Sequence, residues 1–316
     1  MTMRRRLFLQ KAAALGASTL LPFSLSACGG ESGSGTVPGA SSLASNRSAL
    51  SVVKPQLTLT SYLNGATASR DQVLQWEARR VQVVANKMTN NLPAYLVSDL
   101  AALIVRPPAS IANIDQERNA LADAKMRAGD AAMKSLVAAD LLVSDPLSTV
   151  AASTSFGNYS PSRTEVTSNR GTAEGFTNWF LNKSILNFDE RSMLVACPDH
   201  YFFAPLQPKG QDVMEETGGA LIVTHFTIDY DQPNTLPQSD IDPAYPIRLA
   251  GMAVNGLGST VGGVMHQFRN LDQGFQCKLA VYFPSTLPFW TTSEHAWHLA
   301  CEFSNWITAY IAETGD

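Results

Sequence analysis

The chain has 316 residues, a formal net charge of −4 and 45 % hydrophobic residues, an ordinary content for a globular protein. The acidic balance argues against nucleic acid as a partner. The Cys residues are few and show no CxxC spacing, so they describe neither a disulfide framework nor a zinc ribbon and read as buried thiols.

In chain order, Arg4-Arg5-Arg6-Leu7-Phe8-Leu9-Gln10-Lys11 reads as a twin-arginine export signal, and an apolar stretch from Ala12 to Leu21 follows it. Leu25-Ser26-Ala27-Cys28 then resembles the lipobox of bacterial lipoproteins. This order of features predicts a signal over 1–27, cleaved to leave Cys28 as a lipidated first residue. The mature chain is then exported and held to the membrane on its periplasmic side. Loss of Arg4, Arg5, Arg6 and Lys11 makes it more acidic still. Residues 28–57 are rich in Gly, Ser, Ala and Pro without apolar periodicity, the composition of a tether.

A helical region is expected over 58–145. Ser69 to Asn91 carries Val73, Leu74, Trp76, Val81 and Val84 among charges. Pro93 to Val105 is a second apolar segment, and Ile114 to Leu142 is rich in helix formers. After Asp145-Pro146, Ser148 to Ser168 reads as loop with short strands, and Thr172 to Ile185 as a short helix. A second domain is expected over 146–316. Its strand candidates are Gly219 to Asp229, Pro246 to Val254, Thr260 to Arg269 and Phe275 to Pro284, and a final helix runs from Thr292 to Glu313. Consecutive antiparallel strands ending in one long helix suggest an α+β domain with the sheet wrapped around that helix, leaving a cavity between them.

His298 and Glu302 are four residues apart on that helix and share one face, so they can share one metal ion. The same spacing also occurs as an exposed ion pair. Leu299, Phe303, Trp306 and Tyr310 form the neighbouring apolar stripe. His200 follows a Pro198-Asp199 turn at the mouth of a strand, which suits either a ligand or a local bond to Asp199. Strand alternation puts His225, Thr227 and Asp229 on one face, toward the cavity or toward water. His266 and Tyr282 lie on adjacent strands. A hairpin closing around Asp272 would turn both toward the cavity, and either could be core instead.

Several of these segments resemble the 2,4-diacetylphloroglucinol hydrolase family. They are Asn178-Trp179-Phe180-Leu181, Cys197-Pro198-Asp199-His200, Gly263-Val264-Met265-His266-Gln267-Phe268-Arg269 and His298-Leu299-Ala300-Cys301-Glu302-Phe303-Ser304-Asn305. The resemblance covers about Phe176 to Trp306. It implies a helix-grip fold, similar to the plant-allergen and lipid-transfer folds, and a zinc ion held by His200, His298 and Glu302. The family's remaining ligand is a strand Glu. Asp229 is the best substitute here, with Glu215 and Glu216 expected in the preceding loop. The implied activity is hydrolysis of a C–C bond beside a ketone in a small acylated aromatic or β-diketone compound. His266 or Tyr282 would serve as general acid, and Phe180, Phe202, Phe268 and Trp297 as apolar walls. The alternatives are an exported lipoprotein that binds an apolar small molecule without catalysis, and a metal-bound esterase.

Overall fold

A computed structural model describes residues 55–104, 110–217, 222–230 and 236–316. The expected signal, Cys28 and nearly all of the tether lie outside the described residues. Val53–Asp316 forms one compact unit.

The described chain is α+β. Strands β1 (Leu59–Leu63), β2 (Ala66–Ser69), β3 (Tyr159–Ser168), β4 (His200–Leu206), β5 (Gly210–Glu215), β6 (Thr224–Asp229), β7 (Ile247–Asn255), β8 (Thr260–Asn270) and β9 (Phe275–Pro284) form one antiparallel sheet. Their order is β2-β1-β3-β9-β8-β7-β6-β5-β4. The principal helices are α1 (Arg70–Asn91), α2 (Ile114–Thr154), α3 (Ala173–Leu181), α4 (Glu190–Ala196) and the C-terminal α5 (Phe289–Thr314). One sheet with a long C-terminal helix on its inner face is compatible with a helix-grip arrangement.

The expected boundary at 145/146 falls inside α2, and β1 of the expected helical region pairs with β3 of the same sheet. Pro146 does not stop α2, although it removes one ladder donor. The adjoining turn is clamped by Asn255, whose Nδ2 donates to Asp145 O at 2.9 Å and to the hydroxyls of Ser148 and Thr149. The true interruption of α2 is Gly129, with φ +74°. In the Ser/Thr-rich segment read as loop with short strands, residues up to Thr154 complete α2 and the last ten form one strand, β3. Its hydroxyls suit a close helix approach. Ser162, Thr164 and Ser168 are buried, and Thr164 Oγ1 donates to Ala296 O of α5 at 2.7 Å.

Helix α1 starts where the sequence signals it. Ser69 Oγ accepts from Gln72 N while Gln72 Oε1 accepts from Ser69 N, a reciprocal capping box. Val81, Val84 and Met88 of α1 pack with Leu121, Met133 and Val137 of α2 against Tyr201, Phe202 and Met214. The N-terminal helices thus cover the outer face of β4 and β5. On the inner face Leu299, Phe303, Trp306 and Tyr310 of α5 are buried with Phe176, Phe268 and Phe275. Helix α5 begins at Phe289, a turn earlier than expected. Thr291 and Glu294 have the spacing of a capping box, but Thr291 is a buried helical residue.

The β8–β9 hairpin pairs Asn270 with Phe275, His266 with Leu279 and Gly263 with Tyr282. This register is one residue away from closure around Asp272, and a one-residue change turns a side chain to the other face of the sheet. His266 therefore faces inward with Phe268. Tyr282 faces outward with Met265 and Ala280. Gly274 fixes the turn at φ +76°, and a Cβ there would lie 1.9 Å from Ser168 O. Gly274→Ala should therefore destabilise the fold by roughly 1–3 kcal/mol or more. The check is the urea midpoint, and an unchanged midpoint would contradict the register argument.

Candidate metal centre

Four buried side chains from three elements converge at one end of the inner face: His200 of β4, Glu215 of β5, and His298 and Glu302 of α5. The two imidazoles meet through their Nε2 atoms at 3.3 Å. His200 Nε2 lies 3.3 Å from Glu302 Oε2 and 3.7 Å from Glu215 Oε2. His298 Nε2 lies 3.5 Å from Glu215 Oε2 and 3.7 Å from Glu302 Oε2. A tetrahedral ion with bonds near 2.0–2.1 Å needs ligand atoms about 3.3–3.4 Å apart. The five distances, 3.3–3.7 Å, lie close to that spacing, and two carboxylates would balance a divalent charge. Buried His/Cys/Glu groups here can hold a metal ion.

The β4–β5 hairpin supplies two of these groups because His200 and Glu215 are cross-strand partners. A β-bulge between His200 and Phe202 resets the alternation. It lets His200 and Phe203 both face inward while Tyr201 and Phe202 face the covering helices.

The rings are oriented from behind. His200 Nδ1 donates to Met193 O at 2.8 Å, which leaves Nε2 as the free lone pair. His298 Nδ1 lies 3.8 Å from Asp199 Oδ2 and 3.7 Å from Cys197 Sγ. Arg80 of α1 holds Asp199, its Nε donating to both carboxylate oxygens at 2.8 and 3.0 Å. Arg80 also pairs with Glu216, which accepts from the Tyr201 hydroxyl. Lys125 of α2 is fully buried and donates to Pro198 O at 2.7 Å and His200 O at 2.6 Å, pinning the turn that bears His200.

The field at this point favours positive charge. Burial opposes a charged His298, yet Glu215, Asp199 and Glu302 raise it well above the usual imidazole range. Burial would raise Glu302, but His200 and His298 hold it well below the usual carboxylate range. Burial, with Glu302 and Asp199 nearby, pushes Glu215 up. Cys197 forms a group of close potential ligands with His200 and His298, and His295 forms one with Glu215 and His298. Burial raises the Cys197 thiol well above its usual range, and its sulfur faces the Nδ1 side of His298, behind the convergence. His295 stacks on His298 with ring centroids 4.9 Å apart.

The centre opens on a cavity of about 500 Å³ between α5 and the sheet. Its walls are mostly apolar and include Phe180, Phe203, Phe226 and Phe303. Phe180 was expected there. Phe202 belongs instead to the cluster under α1 and α2, Phe268 to the inner core, and Trp297 to a cluster with Trp76. Three buried nitrogens among the lining residues lack a hydrogen-bond partner: Gln211 Nε2, His266 Nδ1 and His295 Nδ1. Tyr230 also lines the cavity, its hydroxyl donating to Gln211 Oε1 at 3.0 Å.

Of the residues singled out in the sequence, His200, His298 and Glu302 come together. Asp229 does not join them. It is exposed and pairs with Gly210, at the opposite end of the β5–β6 ladder from Glu215. Phe226 and Ile228 occupy the inward face of β6 and Asp229 lies off it, while His225 borders the cavity with its Nε2 2.7 Å from Asp212 Oδ1. Glu215 is no loop residue but the last residue of β5. A signal for it existed in Pro208-Lys209-Gly210, whose turn brings Glu215 back opposite His200. Tyr282 borders the cavity as expected, but its phenol is not turned into it. Its hydroxyl donates to Asp240 Oδ2 at 2.7 Å on the outer face. Burial pushes His266 down to about 4, so it is a neutral imidazole near pH 7. A scan against protein-family models finds no matching family, and no curated protein matches the chain.

Glu215→Gln should lower metal content measured by elemental analysis, whereas Asp229→Asn should leave it unchanged. Asp199→Asn should weaken metal affinity roughly 10–100-fold in a chelator competition, because the His298 ring loses its outer carboxylate.

Burial pushes Lys125 down to about 8. The unfolded chain keeps that proton to about pH 10.4, so between about pH 8 and 10 it binds more protons than the folded chain. The Lys125 contribution therefore makes stability rise with pH across that window. Lys125→Met should show a smaller rise than the parent when denaturation midpoints at pH 7.5 and 9.5 are compared.

Proposed function

We propose that the protein is a zinc-dependent hydrolase of helix-grip type that cleaves a C–C bond beside a ketone in small acylated aromatic or β-diketone compounds. The observation that carries this reading is the convergence of His200, Glu215, His298 and Glu302, the last three of them on the wall of an apolar cavity. The segment resemblance to 2,4-diacetylphloroglucinol hydrolases supports the same substrate class. Export and lipid attachment through Cys28 belong to the proposal.

His200, Glu215, His298 and Glu302 would hold the metal, which when bound would polarise an acyl carbonyl or bring the pKa of water near 7. The hydrogen bond from His200 Nδ1 to Met193 O keeps that ring's Nε2 directed at the point where the four groups converge. Phe180, Phe203 and Phe226 surround an aromatic or alkyl body and exclude bulk water. Neutral His266 and the amide of Gln211 offer hydrogen bonds to substrate oxygens. Tyr230, whose phenol burial keeps protonated, holds Gln211 in place. In the overall reaction water adds across the acyl–carbon bond. Hydroxide joins the acyl carbon to give a carboxylic acid. The electron pair of the broken bond stays on the departing carbon, which takes the remaining proton.

The apolar lining also suits a carrier that binds a small molecule without turnover. Metal analysis joined to an assay on an acylated phloroglucinol and a β-diketone separates the two. Stoichiometric zinc with release of a carboxylic acid supports the hydrolase, and binding without product supports the carrier. His266→Ala should lower kcat/KM by roughly 10²-fold or more with metal content unchanged, as for loss of a donor to developing charge. Tyr282→Phe should leave both unchanged.

A further inference from the structure

The rim of the cavity is unusually apolar. Leu142, Val143, Leu147 and Val150 on the second half of α2 are 54–80 % exposed. Phe156, in the turn after α2, is more exposed still, as is Phe289 at the start of α5, with Trp290 beside it. Leu257, in the β7–β8 turn, is a further exposed apolar side chain.

These segments adjoin. Asn255 ties the β7–β8 turn to α2 through Asp145, Ser148 and Thr149. Ser155 meets Thr286 at 3.1 Å, tying the end of α2 to the β9–α5 turn. Leu147, Leu287 and Trp290 also line the cavity, so the surface is continuous with its mouth. Across 141–162, 255–262 and 284–293 the one charged residue is Asp145. Monomeric soluble proteins rarely expose an uncharged apolar patch of this kind without a partner.

Helix α2 is the one described helix long and apolar enough to cross a membrane, but its first half packs on α1 and β4. Its exposed half suits the surface of a bilayer better than its interior. Trp and Phe beside aliphatic side chains are the composition that inserts at the headgroup boundary. The lack of basic residues removes any need for anionic lipid.

We infer that this rim docks on the interface of a neutral bilayer, so that an apolar substrate enters the cavity from lipid. The substrate route rests on the proposed function, but the docking does not. The chain outside the structure allows the contact. About 27 residues separate Cys28 from Pro55 and reach at most ~90 Å when extended. The described chain begins beside Ser168, at the far end of β3 from the mouth. Ten residues of strand cover only about 33 Å. The length of chain between Cys28 and Pro55 therefore exceeds the span from the start of the described chain to the mouth.

The test is hydrogen–deuterium exchange of the full chain carrying Cys28→Ser, with and without phosphatidylcholine vesicles. Exchange over 142–156 and 286–291 should slow severalfold with vesicles. The double variant Val150→Ser/Phe289→Ser, changed at exposed positions outside the cavity, should lose that protection even where its N-terminal segment keeps it on the vesicle. Equal protection in the variant would overturn the proposal. So would protection that requires anionic lipid, protection already present without vesicles, or no protection at all. None of these outcomes depends on metal content or turnover, so failure here is separable from failure of the hydrolase reading.

Discussion

The structure depends on balancing buried charge. Asp199, Glu215, Glu216 and Glu302 are carboxylates withdrawn from water at one end of the sheet. An isolated carboxylate in such surroundings is strongly disfavoured unless it is paired or bound to a metal. Arg80 takes Asp199 and Glu216, while Lys87 approaches Glu216 from the side. Glu215 and Glu302 are left facing two imidazoles. That remainder is what makes the point between His200 and His298 attractive to a cation.

The same balance explains why the N-terminal helices belong to this unit. They cover the apolar outer face of β4 and β5 with Val81, Met88, Leu121 and Val137. They also deliver Arg80 to Asp199 and Lys125 to the carbonyls of Pro198 and His200. The Pro-Asp turn is thus held by α1 and α2 on one side. On the other side α5 approaches, where Asn305 Nδ2 donates to Ala196 O at 2.8 Å. Positions on rigid elements, fixed by hydrogen bonds from behind, are the condition for a preorganised site.

Polarity changes abruptly across the cavity. At one wall lie Glu215, His298 and Glu302, groups able to hold a cation, and nearby the unpartnered nitrogens of Gln211, His266 and His295. Most of the remaining lining is aliphatic or aromatic, and this character continues over the rim to Leu147 and Trp290. A ligand matched to this space has an apolar body and a few oxygens at one end. The proposed reaction and the proposed entry from lipid both use that asymmetry.

The one-dimensional sequence determined what depends on local periodicity. The i,i+4 pair His298 and Glu302, the apolar stripe from Leu299 to Tyr310, the capping box at Ser69 and the strands β7 to β9 follow from spacing along the chain. Tertiary structure decided what depends on register. Glu215 joins His200 because the β4–β5 turn pairs them, and Asp229 is lost because β6 turns its Phe226 face inward. The Tyr282 phenol turns away from the cavity through a one-residue change in the β8–β9 hairpin, and a bulge after His200 lets both that residue and Phe203 face inward. The identity of a side chain sets its chemistry, but strand alternation has period two. A single residue of register, fixed by turns and bulges between distant segments, therefore selects which chemistry meets in the cavity.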